Sequence, residues 1–335
     1  MNMSKFIKVL LAAMISITSL GTVQSFADAG GTPNANAKGY WTQDRMNSAK
    51  PIELVVDEVS GLGRIQTAAG AKTSGRTTST SGSTTIQSTT DWPESPIAQT
   101  AVGKVFFSTP TGNYVCSGAL VKDGNPNIAI VATAGHCVWD QNSSGGAFAS
   151  NWIFVPDYDR NPNGTRWAAS ALTVRDEFAS QTSFNSIALQ NDWGFALIKP
   201  GSGSLPDNND ANAYSLSISG FSANNASFAF GYPAAVPFDG RSLKYAGATI
   251  FVDPNTKSTW GMNSTMTGGA SGGPWLSNGT SRDGLQFGAS GSISSVNSYK
   301  YSRDTTKMYG PIFNSRTTKT FEAAKTALGN LRVTG

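Results

Sequence analysis

The chain has 335 residues, with 25 Lys+Arg against 21 Asp+Glu for a net charge of +4, 14% charged residues and 39% hydrophobic ones. Charge this sparse, against roughly 25% in ordinary soluble domains, excludes a coiled coil, a helical bundle and a charged disordered tail, and the basic excess is too thin and scattered for a nucleic-acid partner. A remainder rich in Gly, Ser, Thr and Asn fits a β-rich exported protein, while two cysteines and one histidine exclude a Cys₄ or Cys₂His₂ zinc site and leave His136 as the only source of histidine chemistry.

Lys5 and Lys8 precede an apolar stretch, Val9–Leu20, and Ser25-Phe26-Ala27 places small residues where a signal peptidase reads. Residues 1–27 therefore read as a secretory signal peptide cleaved after Ala27. The apolar run is shorter than the roughly 20 residues of a spanning helix, so the mature form is expected outside the cell, without a membrane anchor. In an oxidising compartment a Cys116–Cys137 disulfide is the default, with two buried thiols as the alternative. Residues 28–90 read as a pro-segment with a linker; an extension that stays attached is the alternative. Within it, Thr42 caps a short helix, Gln43–Ala49, stopped by Pro51. Ile52–Val56 is a brief strand. Ala68–Thr90 is almost all Gly, Ser, Thr and Ala, a flexible linker that can bury no core.

From residue 91 to 335 short β runs alternate with turn residues. The expected strands are Val102–Ser108, Asn113–Val121, Ile128–Ala132, Trp152–Val155, Ala171–Arg175, Trp193–Ile198, Ala226–Gly231, Leu243–Val252, Pro274–Leu276 and Leu285–Ile293. Such a pattern reads as an all-β barrel or sandwich. One helix, Thr317–Leu328, closes the chain with Phe321, Ala324 and Leu328 on one face and Gly329-Asn330 as its stop signal. Asp157, Asp159, Asn161 and Asn163 lie close together, but the run lacks the terminal Glu of an EF-hand and reads as a solvated turn. No metal site and no cofactor are expected.

Three stretches carry chemistry: Thr133-Ala134-Gly135-His136-Cys137, Asn191-Asp192-Trp193-Gly194, and Gly268-Gly269-Ala270-Ser271-Gly272-Gly273-Pro274. A serine hydroxyl is a poor nucleophile and needs an adjacent base; His136 is the natural base near neutral pH. The imidazole in turn needs a carboxylate on its other nitrogen. Asp192 opens an apolar run, which would keep its charge dry; Asp157 and Asp176 are the other candidates. Backbone N–H groups of Gly269 and Ser271 can hold an oxyanion with no side chain in the way.

These motifs, in the order His, Asp, Ser, resemble those of the trypsin-like (chymotrypsin-fold) serine peptidases, in their secreted bacterial branch, from about residue 101 to 328. Thr-Ala-Gly-His-Cys at 133–137 and Gly-Ala-Ser-Gly-Gly-Pro at 269–274 match the family's histidine and serine motifs. Cys116-Ser117-Gly118 matches the segment whose cysteine pairs with the one after the histidine. Phe230-Gly231-Tyr232-Pro233 and Met266-Thr267-Gly268-Gly269 are also similar to that branch. The resemblance implies two packed antiparallel six-stranded β-barrels with a C-terminal helix, and the site in the cleft between them. It implies a serine endopeptidase with catalytic His136, Asp192 and Ser271, an oxyanion hole at Gly269 and Ser271, and a protein or peptide substrate. A monomer is expected.

The family's trypsin-type members carry an aspartate before the serine that pairs with a newly freed amine; here it is Ala270, so maturation is expected to unblock the cleft without a buried ion pair. The pocket-floor aspartate of trypsin is replaced by Thr265, and the second histidine of glutamyl-specific relatives is missing. Val296-Asn297-Ser298-Tyr299 resembles the family's substrate-binding strand, which would put Asn297, Ser298 and Tyr299 along the pocket and favour a polar uncharged or modestly apolar substrate side chain. An ordinary surface hairpin is the alternative for Tyr299. Competing with the enzyme are an inactive homologue acting as a secreted binding protein and an unrelated carbohydrate-binding β-sandwich.

Overall fold

The computed structural model describes residues 36–67, 89–92, 96–199, 204–277 and 291–335. The expected signal peptide, nearly all of the expected linker and most of the expected strand Leu285–Ile293 lie outside the described residues.

The first half of the chain from residue 96 onward is one antiparallel ladder. Its strands run in the order Ser150–Pro156, Val102–Thr109, Gly112–Val121, Ala129–Thr133, Gly194–Ile198, Ala171–Arg175. Successive side chains alternate between two apolar clusters. Val102 and Phe106 enter one and Val105 and Phe107 the other; Ile130 and Ala132 are likewise split from Ala129 and Val131. Cover on both faces explains why these segments read as unbroken apolar runs. Leu331–Val333 then adds a parallel strand to Ala171–Arg175.

The second half is shared between two ladders. One joins Ala226–Gly231, Lys244–Thr249, Pro274–Ser277 and Ser292–Val296; the other joins Thr259–Asn263, Asp304–Pro311 and Tyr299–Tyr301. The two-barrel expectation holds in its coarser part: a mostly β fold with few helices and a C-terminal helix.

That helix spans Ser315–Thr326, and Asn314 closes a capping box with Thr317. Phe321 and Ala324 are buried as expected, but Leu328 is 98% exposed. The correction has a local cause. Ala327 leaves the helix with ψ 132, which carries Leu328 off the apolar face. The expected strand Leu243–Val252 is also interrupted, at Ile250, whose N–H turns to Asn225 O at 2.9 Å.

The N-terminal segment docks on this body. The helix Gln43–Ser48 is capped by Thr42, which accepts the Arg45 N–H at 3.3 Å. Trp41 is fully buried against Phe106, with 5.4 Å between ring centroids, and its indole N–H donates to Asn151 O at 2.5 Å. Pro51 does not simply end the helix; it lies within the strand Lys50–Val56. This strand pairs in parallel with Gly112–Val121 on one side and Tyr299–Tyr301 on the other, and antiparallel with Gly63–Thr67. It thereby welds the two halves into one 14-stranded sheet.

Candidate active site

His136 sits in a single 3-10 turn, Gly135–Cys137, at the end of the strand Ala129–Thr133. The turn is pinned from behind by the Cys116–Cys137 disulfide, so the disulfide expectation is met and the two-thiol alternative falls. Asp192 enters from the start of Gly194–Ile198 and is fully buried. Its Oδ1 accepts the His136 backbone N–H at 2.8 Å, and its Oδ2 lies 2.8 Å from His136 Nδ1. A Cβ at position 135 would come within 2.9 Å of Asp192 Oδ1, so Gly135 leaves room for this approach. The Ser298 hydroxyl donates to Asp192 Oδ2 at 2.5 Å. The two rival acids are engaged elsewhere: Asp157 with Arg160 at 2.7 Å and Asp176 with Arg332 Nε at 2.8 Å.

His136 Nε2 is buried and makes no hydrogen bond among the described residues, so it is not joined to the Ser271 hydroxyl. Both residues are nearly buried, at 4% and 5% exposed. Catalytic hydrogen bonds are often unmade before substrate is bound.

The turn carrying Ser271 is held by backbone contacts from two sides. Ser117 N–H donates to Ser271 O at 2.7 Å, and Ser117 Oγ donates to Gly269 O at 2.9 Å. Asn297 carbonyl accepts Gly272 N–H at 2.7 Å, and its N–H donates to Gly273 O at 2.8 Å. The Asn297 side chain also donates to Ala270 O at 3.0 Å and Phe230 O at 2.8 Å, and accepts the Trp275 indole N–H at 2.7 Å. Gly269 and Gly272 adopt φ +96 and +82, a region that L side chains avoid. Ala270, where an aspartate would stand, is fully buried with Met262, Met266 and Trp275 in an apolar cluster.

The expected pocket residues divide by role. Asn297 braces the serine turn and Ser298 braces Asp192. Tyr299 is fully buried, its hydroxyl donating to Asp253 Oδ2 at 2.6 Å, so the surface-hairpin alternative falls. Thr265 exchanges hydrogen bonds with Thr89 at 3.1 and 3.3 Å. Sequence reasoning missed Lys300. Its ammonium is buried, donating to Ser264 O at 3.0 Å and Thr305 O at 2.6 Å. Burial pulls its pKa down to about 8, while Glu53 and Asp304 act the other way. Glu53, on the N-terminal strand, is pushed up by burial and held back by Lys300. Beside it, the carbonyl of Ile52 accepts the Gly269 N–H at 3.0 Å. Ile52 and Ile65 also wall the cleft onto which His136 opens.

Comparison with solved structures places this arrangement. A thermostable serine protease, AL20, from an extremophilic microorganism aligns with 35% identity and a TM-score of 0.59, over 69% of this chain and 100% of its own. The protease Anisep from Arthrobacter nicotinovorans aligns with 34% identity and a TM-score of 0.57, over 68% of this chain and 96% of its own. No protein-family model matches the chain, and no curated protein does so either. With a two-half β fold and a His-Asp pair beside a glycine-bounded serine, the chain belongs to the trypsin-like, chymotrypsin-fold serine peptidases.

The Asn297 clamp yields a direct test. Asn297→Ala removes two donors and one acceptor from buried partners, each worth about 1–3 kcal/mol when left unpaired. Unfolding in denaturant should show a loss of at least about 2 kcal/mol. A stability within about 0.5 kcal/mol of the parent would show that the turn stands without this brace.

Proposed function

We propose that the protein is a secreted serine endopeptidase, made with residues 28–90 as an inhibitory pro-segment and freed to act by their removal. The observation that supports catalysis is the buried Asp192 carboxylate, shared by His136 N–H, His136 Nδ1 and Ser298. A carboxylate so placed fixes the imidazole with Nε2 toward the serine turn and stabilises the imidazolium once formed. In this reading His136 Nε2 takes the proton of Ser271 as Oγ bonds to a peptide carbonyl carbon. The oxyanion is held by Gly269 and Ser271 N–H groups. His136 gives the proton to the leaving amine as the C–N bond breaks. Water, deprotonated by His136, then releases the acyl group and restores Ser271. The two halves, in the same reading, wrap as the family's two six-stranded barrels around this cleft. An inactive binding homologue is disfavoured because His136, Asp192, Ser271 and the flanking glycines are all present.

Inhibition is supported by the Ile52 carbonyl on the Gly269 N–H. A peptide carbonyl from the chain itself sits on a donor that the reaction requires, and its strand fills the gap between the halves. Lys300 refines the substrate class. A buried ammonium beside the strand that would hold substrate, facing Glu53, extends the expected polar preference to acidic side chains.

Three measurements test these statements. Ser271→Ala should abolish labelling by a serine-directed fluorophosphonate; labelling retained at an intact fold refutes the nucleophile. Insertion of an exogenous protease site within 68–88, followed by cleavage and separation of the N-terminal piece, should raise casein hydrolysis at least tenfold, and an added 36–67 peptide should reverse it. Equal activity before and after would remove the inhibitory role. Lys300→Gln should lower the ratio of kcat/KM for Glu over Gln peptides about tenfold or more; an unchanged ratio would take Lys300 out of the pocket.

A further inference from the structure

Outside the cleft, a cluster of three carboxylates has no counter-charge in contact among the described residues. Asp123 follows the strand Gly112–Val121; Asp207 and Asp210 lie in the connection that leads from the first half to the second. One carboxylate oxygen from each of the three lies within 4.8 Å of the others. Asp210 is fixed by its neighbour loop, its two oxygens accepting the N–H groups of Asp123 and Gly124 at 2.9 Å each. Asp123 Oδ1 accepts the Asn125 N–H at 2.8 Å.

The remaining oxygens point to a ligand. Asp123 is 7% exposed and Asp207 1%, and both Asp123 Oδ2 and Asp207 Oδ1 are buried without any hydrogen-bond partner. A buried carboxylate oxygen without a donor is costly, and two in one cluster of like charge more so. Burial and the charges of Asp210 and Asp207 push the Asp123 carboxyl up to about 6. The Lys325 ammonium, which favours the charged form of Asp123, is itself paired with Glu322 at 3.2 Å.

We infer that Asp123, Asp207 and Asp210 form a binding site for a hard divalent cation, calcium by preference, which ties the Lys122–Asn125 turn to the connection between the two halves. The donors are all carboxylate oxygens, which select calcium, magnesium or manganese over zinc or copper. Ligands drawn from two irregular loops suit calcium's variable geometry better than the strict octahedron of magnesium. The site has a mechanical consequence. Lys122 N–H and Tyr214 N–H already cross between these segments, to Tyr214 O at 2.9 Å and Leu120 O at 3.0 Å. An ion would lock that crossing at the far end of the strand that carries Cys116 and Ser117.

The test uses the full-length Ser271→Ala protein, so that self-digestion does not intrude, after treatment with EDTA and desalting. Calorimetric titration with calcium chloride should show one site per chain, with Kd between about 10⁻⁵ and 10⁻³ M, from the weak end of sensor sites to extracellular modules. Millimolar calcium should raise Tm by several degrees over EDTA, and magnesium by less. The added substitutions Asp123→Asn and Asp207→Asn should remove both the heat and the shift. Should that variant fail to fold, saturable 1:1 terbium luminescence on the parent, displaced by calcium, gives the same answer. No binding by the parent, or a calcium shift that survives the two substitutions, overturns the assignment. Either result is independent of whether Ser271 is a nucleophile.

Discussion

A single carboxylate holds the centre of this molecule together. Asp192 is fully buried and receives His136 twice, through backbone and ring, and Ser298 once. Three segments far apart in the chain therefore meet on two oxygen atoms. The first half supplies His136 and Asp192 from neighbouring strand ends, Ala129–Thr133 and Gly194–Ile198, which pair directly. The second half supplies Ser298 from the bend between Ser292–Val296 and Tyr299–Tyr301. A buried charge is tolerated only when its lone pairs are satisfied, so the imidazole cannot leave without exposing that cost. The relative placement of the two halves is thus tied to the position of the ring.

The serine turn is positioned differently, by main-chain clamps in place of charge. Ser117 grips it from the first half and Asn297 from the second. Ser117 directly follows Cys116, and Asn297 directly precedes Ser298. The residues that brace the serine turn are therefore neighbours of those that brace the His136–Asp192 pair, on the disulfide side and on the carboxylate side.

The legible part of this site was the part where chemistry demands rare residue types. One histidine, a glycine-bounded serine and an aspartate opening an apolar run leave few alternatives, and the buried sheets of the first half announce themselves as continuous apolar stretches. Asn297 and Ser298 were visible only as a loosely aligned strand, because asparagine and serine are common in a chain this rich in both. Thr259–Asn263 and Asp304–Pro311 escaped for a related reason. Each holds only two large apolar residues, Trp260 with Met262 and Met308 with Tyr309, too few to announce a strand, and they gain strand structure from each other's ladder. Lys300 carries no local signal at all; only the fold brings the Ser264 and Thr305 carbonyls to its ammonium. Leu328 misled because it lies one turn beyond Ala324 on the apolar face, but the backbone departs from the helix at Ala327.

Ala270 and the strand Lys50–Val56 bear on each other. Ala270 stands beside Ser271 where the family's trypsin-type members carry a carboxylate, and the position is sealed by Met262, Met266 and Trp275. Organisation is not missing, since Ser117 and Asn297 already bond five of the turn's backbone groups. Under the proposed function, what stands between this arrangement and a substrate is material, not geometry: the Ile52 carbonyl on Gly269 and the strand behind it. That strand is anchored well away from the cleft, by Trp41 against Phe106 and by the Arg166 guanidinium on the Trp41 carbonyl at 2.6 Å. Burying a tryptophan is worth several kcal/mol, so a cut in the linker alone would leave the segment bound. Under the proposed maturation, release must then come from destruction of the strand itself or from loss of the Trp41 anchor, and the rate of that step would set the rate at which activity appears.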